Sequence, residues 1–301
     1  MTRASWRDVI VFSLLAYGVS WLWWGFTLYP YLGKLSLTQT PTDLVERVGL
    51  LGLIVGDFGP LIAAVIMRLF ISKEGLKGSL GLSRSWKYYV IALVAPPVFY
   101  SIVILFNHFT ALGTFVWTDN VPDWPPLPLW AYYLVLIVNT AFGTLFVFGE
   151  EYGWRGYLLP RLLPLGEIKA TVTVGLIWSF WHLPLVFAGF TYPGQSQNPL
   201  LALLVFTVTV IFLSFPFTWF YVATGGSVLL AALLHGSVNS YGDNLTTPAL
   251  IPNGNQLIVG SAGLVVGIFL MVIMLIIYGV FKRPLDVSNV EDVTNLQRGG
   301  M

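Results

Sequence analysis

Two adjacent carboxylates and an arginine stand where the sequence can least accommodate charge. The stretch Phe148, Gly149, Glu150, Glu151, Tyr152, Gly153, Trp154, Arg155 closes the apolar run from Leu129 to Phe148. About 20 apolar residues suffice to cross a bilayer, so both acids lie near membrane depth. An ionised side chain at the centre of a spanning helix costs roughly 2.5–3.5 kcal/mol on insertion scales. Only 10% of this chain is charged, so the cluster points to use rather than drift. If the run continues as helix, Glu151 and Arg155 are at i and i+4 on one face, with the acid first, the favoured order. Glu150 points about 100° away and has no local cation. The spacing therefore predicts a division of labour: Arg155 neutralises Glu151, and Glu150 is left for chemistry. The competing reading is that all three anchor a helix end at the lipid headgroups.

Polar residues in other apolar segments favour the chemical reading. His182 lies in Ile177, Trp178, Ser179, Phe180, Trp181, His182, Leu183, Pro184. Pro184 frees backbone carbonyls nearby, and the imidazole can serve simply to satisfy one of them. His235 differs because Asn239 follows at i+4, which places imidazole and amide on one helix face. The small residues Ala231, Ala232, Gly236 and Ser237 let that helix approach its neighbours closely. Asp57, followed by Phe58, Gly59 and Pro60, marks a weakened helical step that lines a cavity or pairs with a neighbouring helix. His108, beside Asn107, reads as interfacial.

This inventory suits few reactions. There are no cysteines, which removes thiol nucleophiles, disulfides and thiolate metal sites. Neither a Gly-x-Ser-x-Gly elbow nor an HExxH helix is present. One free Glu, two His and an Asn on three separate spans suit a carboxylate-activated water attacking a carbonyl, with imidazole and amide donors holding the oxyanion. Glu150, His182 and His235 equally suit a zinc ion held by two His and one Glu. The residues alone leave both open. A transporter using Glu150 and Asp57 as proton carriers is a further alternative, against which stands the lack of a visible internal repeat.

The elements that must position these residues are membrane helices. The chain has 301 residues, of which 56% are hydrophobic and 16% aromatic, with a mean hydropathy of +0.77. That composition describes an all-α, polytopic integral membrane bundle. Apolar runs place about eight transmembrane helices near 8–29, 48–71, 88–110, 129–148, 170–190, 200–222, 226–241 and 257–281, the seventh short. The run from Val9 to Tyr29 is too long for a signal peptide and reads as the first span. Turn residues fill Pro122 to Pro128, Tyr192 to Pro199, and Asn253 with Gly254. Leu158, Leu159, Leu162 and Leu163, broken by Pro160 and Pro164, read as a short interfacial or re-entrant segment or as an apolar loop. The tail from Lys282 to Met301 is polar. With eight spans, 13 of the 15 Lys and Arg fall on one side, leaving Lys34 and Arg47 on the other with Asp119, Asp123 and Asp243. The positive-inside rule then puts both termini in the cytoplasm. A net charge of +1 offers no surface for nucleic acid.

The ordered set Glu150-Glu151-x-x-x-Arg155, Trp178-x-x-x-His182 and His235-x-x-x-Asn239 resembles the CPBP family, which comprises type II CAAX prenyl endopeptidases and bacteriocin-processing or immunity (Abi) proteins. Trp178 stands where that family usually has Phe. The run Thr224, Gly225, Gly226, Ser227 and the Gly59, Pro60 step are similar too. The resembling core covers roughly residues 129–245. It divides the chain into three N-terminal helices (1–128), a catalytic core (129–245), and a last helix with its tail (246–301). The resemblance implies an intramembrane glutamic endopeptidase without a cofactor, acting on peptide or protein substrates, prenylated ones among them. It implies Glu150 as general base on water, helped by His182, and His235 with Asn239 as the oxyanion hole. Glu151 and Arg155 would support the site or meet substrate. The alternatives it leaves are a zinc metalloprotease using Glu150, His182 and His235, and a non-catalytic immunity or partner-binding protein. The expected location is the plasma membrane of a prokaryote.

Overall fold

Apolar runs of this length satisfy their backbone polar groups internally only as helices, and helices account for the architecture. The computed structural model describes residues 5–27, 52–81, 85–115, 127–192, 198–246 and 254–280. Expectations for the turns at Pro122 to Pro126, at 193–197 and at Asn253, for Lys34, Arg47, Asp119 and Asp123, and for the tail from Lys282 lie outside the described residues. Among the described residues there is no strand.

The helices are α1 (Trp6–Thr27), α2 (Gly52–Ile71), α3 (Trp86–Phe109), α4 (Leu129–Gly153), α5 (Glu167–Trp181), α6 (Leu183–Phe187), α7 (Pro199–Ala223), α8 (Val228–Tyr241) and α9 (Leu264–Gly279). Helices stand at all eight expected places. Among the described residues, six stretches are long and apolar enough to cross a membrane: α1, α2, α3, α4 with its continuation to Leu165, α7, and Gln256–Gly279, which ends in α9. The other two are shorter. The expected span at 170–190 breaks at His182 into a 15-residue helix and a 5-residue helix. The cause is Pro184, which lacks an N–H for the ladder and whose ring crowds the carbonyl one turn back. The seventh, α8, has 14 residues.

Beyond α4 the helix does not stop at the acids. It runs through one π-helical turn, Trp154–Leu158, into a further helical turn, Leu159–Leu162. Leu158, Leu159 and Leu162 are completely buried in protein, so this stretch is an inward-packed continuation of α4, neither a surface loop nor a lipid-facing segment. A π turn widens the backbone locally and recurs where side chains must be re-aimed. It also lets Pro160 follow without leaving the helical path.

Packing around this turn fixes the site. α4 lies between α2 and α8, α5 packs against α7, and α1 against α2. Gly236 on α8 lets the backbones meet: a Cβ there would stand 2.7 Å from the Thr144 nitrogen and 2.8 Å from the Thr140 oxygen of α4. The Asp57-Phe58 break in α2 presses on the far side of α4, where a Cβ on Gly153 would stand 2.4 Å from the Pro60 Cβ. Both approaches need a residue without a side chain. Arg68, buried at the end of α2, clamps the π turn by donating Nη2–H to the Gly156 carbonyl at 2.7 Å. Its Nη1 bonds Glu74, which also pairs with Arg161.

Candidate active site

Glu150 and Glu151 are consecutive, so the helix turns them to different neighbours. Glu151 is fully buried. Its Oε1 accepts from Arg155 Nη1 at 2.8 Å and from His235 Nδ1 at 2.8 Å. Arg155, also buried, spreads its guanidinium over Trp178 at 4.4 Å and Phe217 at 4.3 Å from the ring centroids. Cation–π contacts of this kind compensate part of the hydration a buried guanidinium loses. Glu151 is thus the neutralised acid that the i, i+4 spacing predicts, with His235 as a second partner that the spacing does not reveal.

Glu150 has a different environment. Its Oε2 accepts from the indole N–H of Trp178 at 2.8 Å, and the Trp154 Nε1 lies 3.4 Å from the same oxygen. Both donors are neutral. Oε1 has no hydrogen-bond partner among the described residues. It is also absent from the fully enclosed unpartnered atoms, which include Glu151 Oε2 and Arg155 Nη2, so it keeps accessible surface. Asp57 at the break in α2, Arg155 and His182 all lie within electrostatic range of Glu150.

His182 sits at the junction of α5 and α6. Its backbone N–H bonds the Ser179 carbonyl at 3.1 Å, which releases the Trp178 carbonyl from the helical ladder. The imidazole Nδ1 donates to that carbonyl at 2.9 Å. A carbonyl only accepts, so the proton resides on Nδ1 and Nε2 carries the lone pair. The ring rests among Trp181 at 4.7 Å, Phe206 at 4.9 Å and Trp178 at 6.0 Å between centroids. α1 braces this junction: Trp21 Nε1 donates to the Trp181 carbonyl at 2.8 Å, and Tyr17 donates to the Ile177 carbonyl at 2.6 Å.

His235 is buried on α8, edge-on to Trp178 at 5.3 Å and Phe217 at 5.4 Å. The Gly225, Gly226 turn with positive φ leads into Ser227, whose hydroxyl caps α8 by accepting from the Leu230 N–H. Asn239 lies one turn beyond His235 on the same helix, partly buried, and its side chain has no hydrogen bond among the described residues. Asn139 on α4 ties the neighbouring Ser240 at 3.1 Å.

Glu150, Glu151, Arg155, His182 and His235 are thus gathered around Trp178, with Asn239 further along α8. His108 is exposed at the end of α3, away from this cluster. Among the described residues no three His, Asp or Glu side chains form a set fit to hold a metal ion. Two features escape a reading of the residues alone. Trp154 follows Glu150 at i+4, a spacing that signals contact. The Trp178 N–H reaches Glu150 across 28 positions, and no local pattern announces it.

Comparison with known proteins falls on the same region. Residues 123–241 match the family model described as type II CAAX prenyl endopeptidase Rce1-like. A protein named CAAX prenyl protease 2, from Methanococcus maripaludis, is 32% identical over 92 residues, which cover 30% of this chain and 34% of that protein. The chain thus spans about a third of the length of this relative.

Proposed function

We propose that this chain, whose residues 123–241 match the type II CAAX prenyl endopeptidase Rce1-like model, is an intramembrane endopeptidase of the glutamic type, as the resemblance to the CPBP family implies. The observation that carries the reading is the unequal treatment of the two acids. Glu151 is paired with Arg155 and hydrogen-bonded to His235, whereas Glu150 has only neutral N–H donors on one oxygen and an accessible second oxygen.

In this reading Glu150 takes a proton from water as the oxygen attacks the scissile carbonyl carbon. The proton passes to the leaving nitrogen as the C–N bond breaks, giving a free carboxylate and an amine. His182 Nε2, bearing a lone pair, accepts a hydrogen bond from the same water. His235 and Asn239 donate to the tetrahedral oxyanion. With Nδ1–H held by Glu151, His235 donates from Nε2 only when its ring carries both protons. Membrane-associated peptides are the substrate class, and the name of the Methanococcus relative suggests prenylated CAAX-type sequences among them. Both termini lie in the cytoplasm, following the distribution of Lys and Arg, and the membrane is the plasma membrane of a prokaryote.

The test compares peptide fragments released in membranes carrying wild-type protein and Glu150→Gln. Gln keeps an acceptor for Trp178 and removes the base. Fragments present only with wild type support the reading. Identical patterns overturn it and favour a partner-binding protein.

A further inference from the structure

We propose that Trp178 is a positioning residue that sets Glu150 and His182 relative to each other. Its indole N–H holds Glu150 Oε2 at 2.8 Å. Its main-chain carbonyl, freed by the break before Pro184, receives His182 Nδ1 at 2.9 Å. One residue thus orients the carboxylate through its side chain and the imidazole through its backbone. The inference rests on the hydrolase reading above.

The geometry gives both contacts a directional consequence. A Glu side chain has three rotatable bonds, and an unrestrained carboxylate turns freely about the last of them. A donor on one oxygen fixes that plane and presents the other oxygen in a single direction. The bond is charge-assisted when Glu150 is ionised, hence stronger than a neutral one. Trp154 Nε1, at 3.4 Å from the same Oε2, reinforces the choice of oxygen, and Oε1 is left open. The imidazole is constrained likewise: donation from Nδ1 leaves the Nε2 lone pair for water. Trp178 itself has little freedom. It is 3% exposed, covered on one face by Arg155 at 4.4 Å and met by Phe217 at 5.8 Å and His235 at 5.3 Å. The same guanidinium that neutralises Glu151 therefore holds the ring that orients Glu150.

Two replacements test the N–H. β-(3-Benzothienyl)alanine at position 178 substitutes sulfur for the N–H and keeps the bicyclic shape over Arg155. Trp178→Phe keeps an aromatic face and removes the donor. Both are assayed in proteoliposomes with an internally quenched farnesylated CAAX peptide. The expected result is a kcat lowered by about tenfold or more, the size of a lost hydrogen bond to a charged group. KM and the thermal midpoint of the benzothienyl protein should stay at wild-type values. An unchanged kcat per folded molecule overturns the inference, as does a loss confined to KM or stability. A second measurement needs no substrate. In protein labelled at the indole nitrogens, the resonance missing from the benzothienyl protein belongs to Trp178. Glu150→Gln should move that resonance toward the position of a weaker hydrogen bond. An unmoved resonance overturns the contact. If wild type cleaves no peptide, the prenyl-peptide reading fails by itself, and the resonance still decides whether Trp178 holds Glu150.

Discussion

His235 and Glu151 stand 84 positions apart and meet at 2.8 Å through Nδ1 and Oε1. The same oxygen receives Arg155 Nη1 at 2.8 Å. A single buried carboxylate oxygen therefore joins the end of α4, the π turn that follows it, and the middle of α8. Its partner Oε2 has no hydrogen bond among the described residues, which leaves the guanidinium and the imidazole on Oε1 as the carboxylate's side-chain partners.

Arg155→Ala removes the guanidinium from that pair. Breaking a buried ion pair by deleting one partner costs about 3–5 kcal/mol, because the remaining charge is stranded. Folded yield and thermal midpoint in detergent should both fall. Normal stability with lost turnover would instead assign Arg155 to substrate, such as a peptide's terminal carboxylate.

His235→Ala and Asn239→Ala should separate two effects on α8. Loss of one oxyanion donor typically slows the chemical step about 10²- to 10³-fold while substrate affinity changes little. Both variants should show that loss in single-turnover experiments. Only His235→Ala should also destabilise the protein, since it takes a partner from Glu151, whereas Asn239 has no hydrogen bond to lose among the described residues. Wild-type single-turnover rates in Asn239→Ala would remove it from the oxyanion site.

Metal analysis addresses the zinc alternative. Active, purified protein with far less than one metal ion per chain and full resistance to chelators is the expected result. Stoichiometric zinc in the wild type, lost in both His182→Ala and His235→Ala, would replace the carboxylate-and-water scheme with a metalloprotease.

Orientation is open to reporter fusions. A fusion after Arg283 should be active only in its cytoplasmic form, and a reporter in the loop around Asp119 should behave oppositely. Equal signals at the two positions would sink the proposed placement, because an eightfold crossing requires them to differ.

Much of the bundle is legible because helix formation in lipid is a local matter. Runs of apolar residues must satisfy their own backbone groups, so their positions along the chain mark the helices. The ends were less legible. The break at His182 depends on Pro184 two residues on, and the π turn at Trp154–Leu158 depends on how α2 clamps the Gly156 carbonyl through Arg68. Pro160 suggests an interruption where the helix in fact continues, because the widened turn accommodates it.

What the sequence by itself determined is the set of helices, the pairing of Glu151 with Arg155, and the face shared by His235 and Asn239. Each follows from a spacing of four residues or from a run of one polarity, and such regularities need no knowledge of the rest of the chain. What only the tertiary structure decided is who meets whom across helices. His235 joins Glu151, and Trp178 grips Glu150. Those contacts arise from close approach at Gly153 and Gly236 and from the packing of Arg155 between two aromatic rings. They are long-range choices among many indoles and imidazoles of like chemistry, and burial with satisfied hydrogen bonds is what selects one arrangement.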